Sequence, residues 1–157
     1  QSSEEMVKVD VGEIVRRVLW EKASVIRDMG VEIVTAEDFG KVVADPTHIY
    51  QLFSNLIANA LAYNDSLEPR VTIGHERGEG GRHRYWIWDN GPGITSVDRD
   101  RIFAPLFKGK DGGTGIGLAI VKKVVDLYGG EIEVHNEGGA RFEFTLGKAQ
   151  QGKDIDR

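Results

Sequence analysis

The chain has 157 residues, a formal net charge of −5 at pH 7 and no cysteine. This length predicts one compact domain with a full hydrophobic core, and the lack of cysteine excludes disulfide frameworks, thiolate metal sites and thiol catalysis. The acidic balance argues against a nucleic-acid partner, which needs a concentrated basic face. No apolar run approaches the roughly 20 residues that cross a bilayer, so we expect a cytoplasmic piece without membrane contact.

The first predicted element is an amphipathic helix over residues 11–29. Apolar side chains recur there at helical spacing, and Gly30 supplies a stop signal. Short runs rich in β-branched residues at 31–35 and 41–44 then predict two strands on either side of a turn.

Asp45 and Pro46 open a second predicted helix, which extends to about Tyr63. Aspartate is a favoured helix cap, and proline suits the first helical position. Asn55 and Asn59 are four residues apart and therefore project from one face of this helix. Since Mg²⁺ prefers oxygen ligands and keeps waters and substrate phosphates, one amide oxygen at a cleft edge is a suitable protein ligand. Two solvated or capping asparagines are the alternative interpretation.

Two predicted strands over residues 70–76 and 82–89 form a hairpin that ends in Asp89, followed by Asn90-Gly91-Pro92-Gly93. A carboxylate at a strand end can accept a hydrogen bond from an exocyclic amine, and glycines allow a ligand to approach the backbone closely. An ordinary Asn-Gly turn is the alternative interpretation of this segment.

A glycine-rich stretch, with a short helical piece near residues 97–103, leads to a third predicted helix over 116–128. The run Gly112-Gly113-Thr114-Gly115-Ile116-Gly117-Leu118 places bare backbone amides at the positive end of that helix, which suits phosphate oxygens. It matches neither a Walker loop nor a dinucleotide fingerprint, and a flexible linker is the alternative. A hairpin over residues 131–136 and 141–146 closes the domain.

In this order and spacing, the segments resemble the superfamily of gyrase, heat-shock chaperone, histidine kinase and MutL ATPases, most closely the histidine kinases. Residues 45–60 resemble the asparagine box, 89–94 the first glycine box, 102–107 the phenylalanine box and 113–118 the second glycine box. The resemblance covers about residues 5–147. It implies an α+β fold of the Bergerat ATP-binding type: a two-layer α/β sandwich whose mixed, mostly antiparallel sheet is covered on one face by three helices.

The resemblance also implies a binding site for ATP and Mg²⁺. Asp89 would hold the adenine amine, Asn59 would be the metal ligand, and Asn55 would support catalysis beside it. Lys108 and Lys110, on a lid over residues 104–114, would contact phosphates unless they are solvated loop lysines. The other implied nucleotide-binding residues are Tyr63, Gly91, Gly93, Ile94, Phe103, Phe107, Gly113, Thr114, Gly115, Ile116, Gly117 and Leu118.

Position 55 favours phosphoryl transfer over hydrolysis. Water-splitting members of the superfamily have a glutamate general base four residues before the magnesium asparagine, and this chain has Asn55 there. An amide cannot accept the proton at neutral pH, whereas phosphoryl transfer depends mainly on positioning and electrostatics. The resemblance therefore implies a protein-histidine kinase.

The four histidines of the chain lie outside any His-Glu-x-x-x-Pro motif, and we interpret them as surface residues. The phosphoacceptor histidine and the dimerisation helices are expected elsewhere, upstream in the same parent chain or in another protein. Residues 1–10 would be the linker from those helices, 11–147 the catalytic domain and 148–157 a tail. We expect a monomeric piece, a homodimeric parent and a response regulator receiver domain as a further partner.

Three features depart from the family pattern. Ala62 stands where histidine kinases usually have lysine or arginine, the lid is short, and residues 138–141 lack the usual serine or threonine. Two alternatives stay open: an anti-sigma-type serine kinase of the same fold, and a non-catalytic nucleotide-binding module that regulates a partner. Ala62 favours the second, and the phenylalanine box argues against the first.

Overall fold

The computed structural model describes residues 6–62, 64–104 and 115–147. None of the helices in these ranges is long and apolar enough to cross a membrane. The elements in chain order are β1 (Val7–Asp10), α1 (Val11–Glu21), α2 (Ala23–Met29), β2 (Glu32–Thr35), β3 (Lys41–Ala44), α3 (Pro46–Ala62), β4 (Arg70–Arg77), a 3-10 turn (Glu79–Gly81), β5 (His83–Asp89), α4 (Ser96–Arg99), α5 (Gly115–Leu127), β6 (Ile132–Asn136) and β7 (Ala140–Leu146).

Five strands form one sheet in the order β2-β4-β5-β7-β6. The pairing of β2 with β4 is parallel, and the other three pairings are antiparallel. Strands β2 and β3 flank one turn but do not pair with each other, because β3 pairs with β1 in a separate two-stranded sheet. The expected mixed, mostly antiparallel sheet is confirmed.

The helices α1, α3 and α5 form a layer on one face of the sheet. One apolar stripe of α3 is buried and consists of Ile49, Leu52, Phe53, Leu56, Ile57, Ala60 and Leu61. The ring of Phe53 packs edge-on against Tyr85 of β5 and Phe144 of β7, with centroids 5.5 Å apart in both pairs. Val121 and Val125 of α5 have no exposed surface. Burial of apolar surface between these two layers is the main stabilising term of the fold.

The expected helix over residues 11–29 is broken at Lys22. The backbone N–H of Lys22 closes α1 by donating to the carbonyls of Val18 and Leu19. After this break, no residue of α2 is buried. Val25 and Met29 are exposed, although their helical spacing predicted that they would face the core. A continuous apolar period does not reveal such a break, because the residues of the break are themselves good helix formers.

Val7–Asp10, within the segment expected to be a linker, form the strand β1. Val9 is buried, and β1 is antiparallel to β3 with Val9 opposite Val42. Asp10 also caps α1, where its carboxylate accepts a hydrogen bond from the backbone N–H of Glu13. Four residues are too few for a period of two to stand out in the sequence.

The prediction that the histidines lie on the surface is wrong for His83, which is 4 % exposed. Its Nδ1 lies 2.9 Å from Nε2 of His75, and Nδ1 of His75 lies 2.9 Å from the carbonyl oxygen of Asp38. In the neutral pair, His75 donates to that carbonyl and accepts from His83. Burial lowers the pKa of both rings, which favours the neutral pair.

Because of this histidine pair, we expect the free energy of unfolding to decrease in mild acid. Because both pKa values are lowered in the folded chain, the unfolded chain binds more protons below the ordinary histidine pKa of about 6.5. The free energy of unfolding should be highest above that pH and fall as the pH decreases from 6.5 toward the lowered values. Urea unfolding between pH 7.5 and 5 measures this slope.

The slope should flatten in the double variant His75→Gln/His83→Gln. The control His135→Gln removes a histidine that lies on β6 and is not buried. Equal slopes in the double variant and in the wild-type chain would show that the pair does not cause the acid sensitivity.

Candidate functional site

Asp89 is the last residue of β5 and is 7 % exposed. Its side chain lies on the same, helix-covered face of the sheet as those of Tyr85 and Ile87. Burial raises the pKa of the Asp89 carboxyl group, and hydrogen bonds from the backbone N–H groups of Gly91, at 2.8 Å, and Ala140 act in the opposite direction. The two N–H groups fix the carboxylate, which keeps further lone pairs for a donor on a ligand.

Asparagine side chains tie the end of β5 to the segment that follows α3. The Oδ1 of Asn90 accepts hydrogen bonds from the backbone N–H of Arg70, at 2.7 Å, and from Nδ2 of Asn64, at 2.9 Å. Its Nδ2 donates to the carbonyl of Glu68 at 3.0 Å. The carboxyl ends of α3 and β5 therefore lie at the same edge of the domain, where Asp89 is located.

Asn55 and Asn59 are both partly buried on α3. Nδ2 of Asn55 donates to the carbonyl of Gln51 at 2.7 Å, and a Cβ atom added to Gly117 would lie 2.9 Å from Oδ1 of Asn55. The first turn of α5 thus packs directly against Asn55, and glycine at 117 permits this approach. Asn59 projects from the same face one turn further along α3, so the structure brings the asparagine box and the second glycine box together.

The first glycine box continues from Asp89 into an ordered turn. Gly93 has φ +84°, a conformation that L side chains rarely adopt. A Cβ atom there would lie 2.7 Å from Oδ1 of Asn136, so glycine at 93 permits the close approach of the Asn136 side chain. Ile94 is partly buried against the core. Gly91 contributes its backbone N–H to Asp89.

The phenylalanine box begins inside the core. Ile102 is buried, and the ring of Phe103 packs edge-on against Phe142, with centroids 6.1 Å apart. Leu118, in the second glycine box, is also buried. Gly115 and Ile116 are described only as the first residues of α5. The predicted positions that lie outside the described residues are Tyr63, Phe107, Lys108, Lys110, Gly113 and Thr114, with the lid residues 105–114.

A shallow cavity of about 190 Å³ lies beside the same strand end. Its lining residues are Arg70, Thr72, Trp88, Asp89, Asn90, Glu137 and Gly138. Thr72 and Trp88 alternate with the helix-facing side chains of β4 and β5, so this cavity opens on the outer face of the sheet. Its lining includes neither asparagine of α3 and no glycine of α5, so it shares only the Asp89 end of β5 with the expected nucleotide site.

Three asparagines that order the site were missed as site residues: Asn64, Asn90 and Asn136. Asn64 lies in none of the four boxes, and Asn90 lies in the first glycine box but was given no role there. Their partners lie far away in the sequence: Asn90 for Asn64, Arg70 and Glu68 for Asn90, and Ile94 for Asn136. A single sequence gives no signal for such contacts.

Comparisons with known proteins identify the family of the chain. Residues 44–150 match the family described as "Histidine kinase-, DNA gyrase B-, and HSP90-like ATPase". Cyanobacterial phytochrome B of Nostoc sp. is 37 % identical over 149 residues, which are 90 % of this chain and 20 % of that protein. The chain thus spans about a fifth of the length of this relative.

Solved structures show the same likeness. The nucleotide-free catalytic domain of histidine kinase ThkA has a TM-score of 0.81 and 32 % identity, and the match covers 92 % of this chain and 96 % of that one. ThkA in complex with the response regulator protein TrrA matches with a TM-score of 0.73 and 30 % identity, over 90 % of this chain and 41 % of that one. The predicted resemblance to histidine kinase catalytic domains is confirmed, and the chain belongs to the histidine kinase-, DNA gyrase B- and HSP90-like ATPase family.

Proposed function

We propose that this chain binds Mg-ATP and transfers the γ-phosphoryl group to a histidine on a separate phosphoacceptor and dimerisation domain of its parent protein. The observation that supports this most directly is the buried Asp89 carboxylate at the edge where β5 and α3 end. Two backbone N–H groups hold it there. A desolvated carboxylate with free lone pairs matches the exocyclic amine of adenine, because hydrogen bonds to a charged group are strong in such surroundings.

The other parts of the proposed site follow from α3 and α5. The amide oxygen of Asn59 would be a ligand of Mg²⁺, and the backbone N–H groups at the start of α5 would bind phosphate oxygens. In the described part of the chain, no group of three or more His, Cys, Asp or Glu side chains could hold a metal ion. An ion held by one amide and by substrate phosphates fits this donor set, and bound Mg²⁺ would neutralise charge on those phosphates.

Asn55 supports transfer to a protein group rather than to water. Its Nδ2 already donates to the carbonyl of Gln51, and its Oδ1 faces Gly117. An amide held in this way cannot take a proton from water. Bound ATP would therefore persist until a better nucleophile, the imidazole of a phosphoacceptor histidine, is docked against it.

The partners are proposed from the relatives. ThkA has been solved with a response regulator, and a receiver domain of that kind would accept the phosphoryl group from the phosphohistidine. Since this chain is about a fifth as long as the phytochrome relative, the acceptor helices would lie in another part of the parent. We place the reaction in the cytoplasm, where ATP is available, and expect the parent to be a homodimer.

Phosphoryl transfer is tested by mixing the chain with γ-labelled ATP and a separately purified helix pair that carries a His-Glu-x-x-x-Pro motif. We expect acid-labile label on the acceptor histidine, and none when that histidine is changed to glutamine. Acid-stable label on serine would instead indicate a serine kinase. ATP binding without any label would indicate a non-catalytic module.

The adenine contact is tested with Asp89→Asn, which replaces a charged acceptor by an amide that presents a donor as well. ATP affinity measured by calorimetry should fall by roughly 1.5–3 kcal/mol, the usual value of a hydrogen bond to a charged group. The control Asp126→Asn changes a carboxylate that is exposed on α5 and paired with Lys122. Equal ATP affinity of wild-type chain and Asp89→Asn would remove Asp89 from the site.

The metal contact is tested with Asn59→Ala. Added Mg²⁺ should raise the ATP affinity of the wild-type chain and of the control Gln51→Ala, which changes an exposed residue of the same helix. It should have little effect on Asn59→Ala, because the amide ligand is gone. If Mg²⁺ raises the affinity of all three proteins equally, another residue binds the metal.

A further inference from the structure

Asn136, the last residue of β6, makes two hydrogen bonds to one residue of the first glycine box. Its Oδ1 accepts from the backbone N–H of Ile94 at 2.8 Å, and its Nδ2 donates to the carbonyl oxygen of Ile94 at 2.6 Å. The side-chain amide thus takes both main-chain groups of Ile94, as a neighbouring strand would. Asn136 itself lies outside the boxes that the family resemblance identifies.

The hairpin tip that carries Asn136 contacts the adjoining residues as well. The carbonyl of Glu137 accepts a 2.7 Å hydrogen bond from Nε1 of Trp88. A Cβ atom on Gly139 would lie 1.9 Å from the carbonyl oxygen of Asp89, so only glycine fits there. The end of β5 is therefore enclosed by the tip, and Asn136 extends that contact to the turn beyond it.

The turn at residues 91–94 needs such an external partner. The turn leaves the sheet at Asp89. Its Gly91-Pro92-Gly93 sequence disfavours further strand pairing, because proline has no N–H to donate and glycine weakens a strand. Without the amide of Asn136, both main-chain groups of Ile94 would return to water and the turn would sample more conformations. Binding a ligand would then require the turn to be ordered first.

We infer that Asn136 is a positioning residue for nucleotide binding: it holds the Gly93–Ile94 backbone in the shape that receives adenine beside Asp89. It acts through that backbone and does not itself contact the ligand. The inference rests on the proposed ATP site and adds the β6–β7 hairpin to it as a determinant of affinity.

The first test is Asn136→Ala, compared with Glu133→Ala, which changes an exposed side chain of the same strand. Loss of two hydrogen bonds should weaken ATP binding about tenfold in calorimetry, while the rate of phosphoryl transfer to the separate acceptor helix pair at saturating ATP stays unchanged. Amide hydrogen exchange should quicken in the peptide that covers residues 91–95 and stay the same in α3. A variant that binds ATP as tightly as the wild-type chain overturns the inference.

The second test is Asn136→Asp, which still decides the matter if the alanine variant does not fold. An ionised carboxylate can accept from the Ile94 N–H, but its second oxygen faces the Ile94 carbonyl oxygen, and only a protonated carboxyl group can donate there. At pH 7.5, where the carboxyl group is ionised, Asn136→Asp should therefore bind ATP more weakly than the wild-type chain. ATP affinity equal to that of the wild-type chain contradicts the inference.

These outcomes separate the two proposals. If the wild-type chain does not bind ATP, the proposed function fails and the role of Asn136 in nucleotide binding fails with it. If the wild-type chain binds ATP and both Asn136 variants bind it with the same affinity, the inference about Asn136 fails alone.

Discussion

A carboxylate held out of water at the end of a central strand is the constraint on which this structure depends. Burial of Asp89 disfavours the charged form and raises its pKa, and the chain offsets this cost with backbone N–H groups from Gly91 and Ala140. Ala140 starts β7, which pairs along β5, so the sheet itself brings the second donor into place. The site therefore requires both the turn after β5 and the register of β7.

The helix layer connects this strand end with the expected phosphate site. On α3, one stripe buries Phe53 and Leu56 in the core, while the adjacent face carries Asn55 toward the glycine at the start of α5. At the other end of α5, the hydroxyl of Tyr128 accepts from the backbone N–H of Asp45 at 3.0 Å and lies 2.6 Å from Nδ1 of His48. Both ends of α5 are thus fixed against α3.

Much of this fold could be predicted from the sequence because its strongest signals are local. The cap at Asp45, the proline after it and one continuous apolar stripe gave α3 an end within one residue of the observed Ala62. Asp89 at a strand end, followed by glycines, predicted the buried carboxylate. The break at Lys22, the burial of His83 and the Asn136 contacts could not be predicted, because each depends on packing between residues that are distant in the sequence or on a local change of helical phase.

Resonance shifts during a titration with Mg-ATP test the central claim most directly. If adenine binds beside Asp89 and the metal beside α3, the largest shifts in a two-dimensional nitrogen-15 spectrum will be those of the Gly91, Gly93 and Gly117 amides and of the Asn59 side chain. Shifts confined to the outer face of the sheet, around Arg84 and Trp86, with the Asn59 side-chain resonance unchanged, would contradict the account.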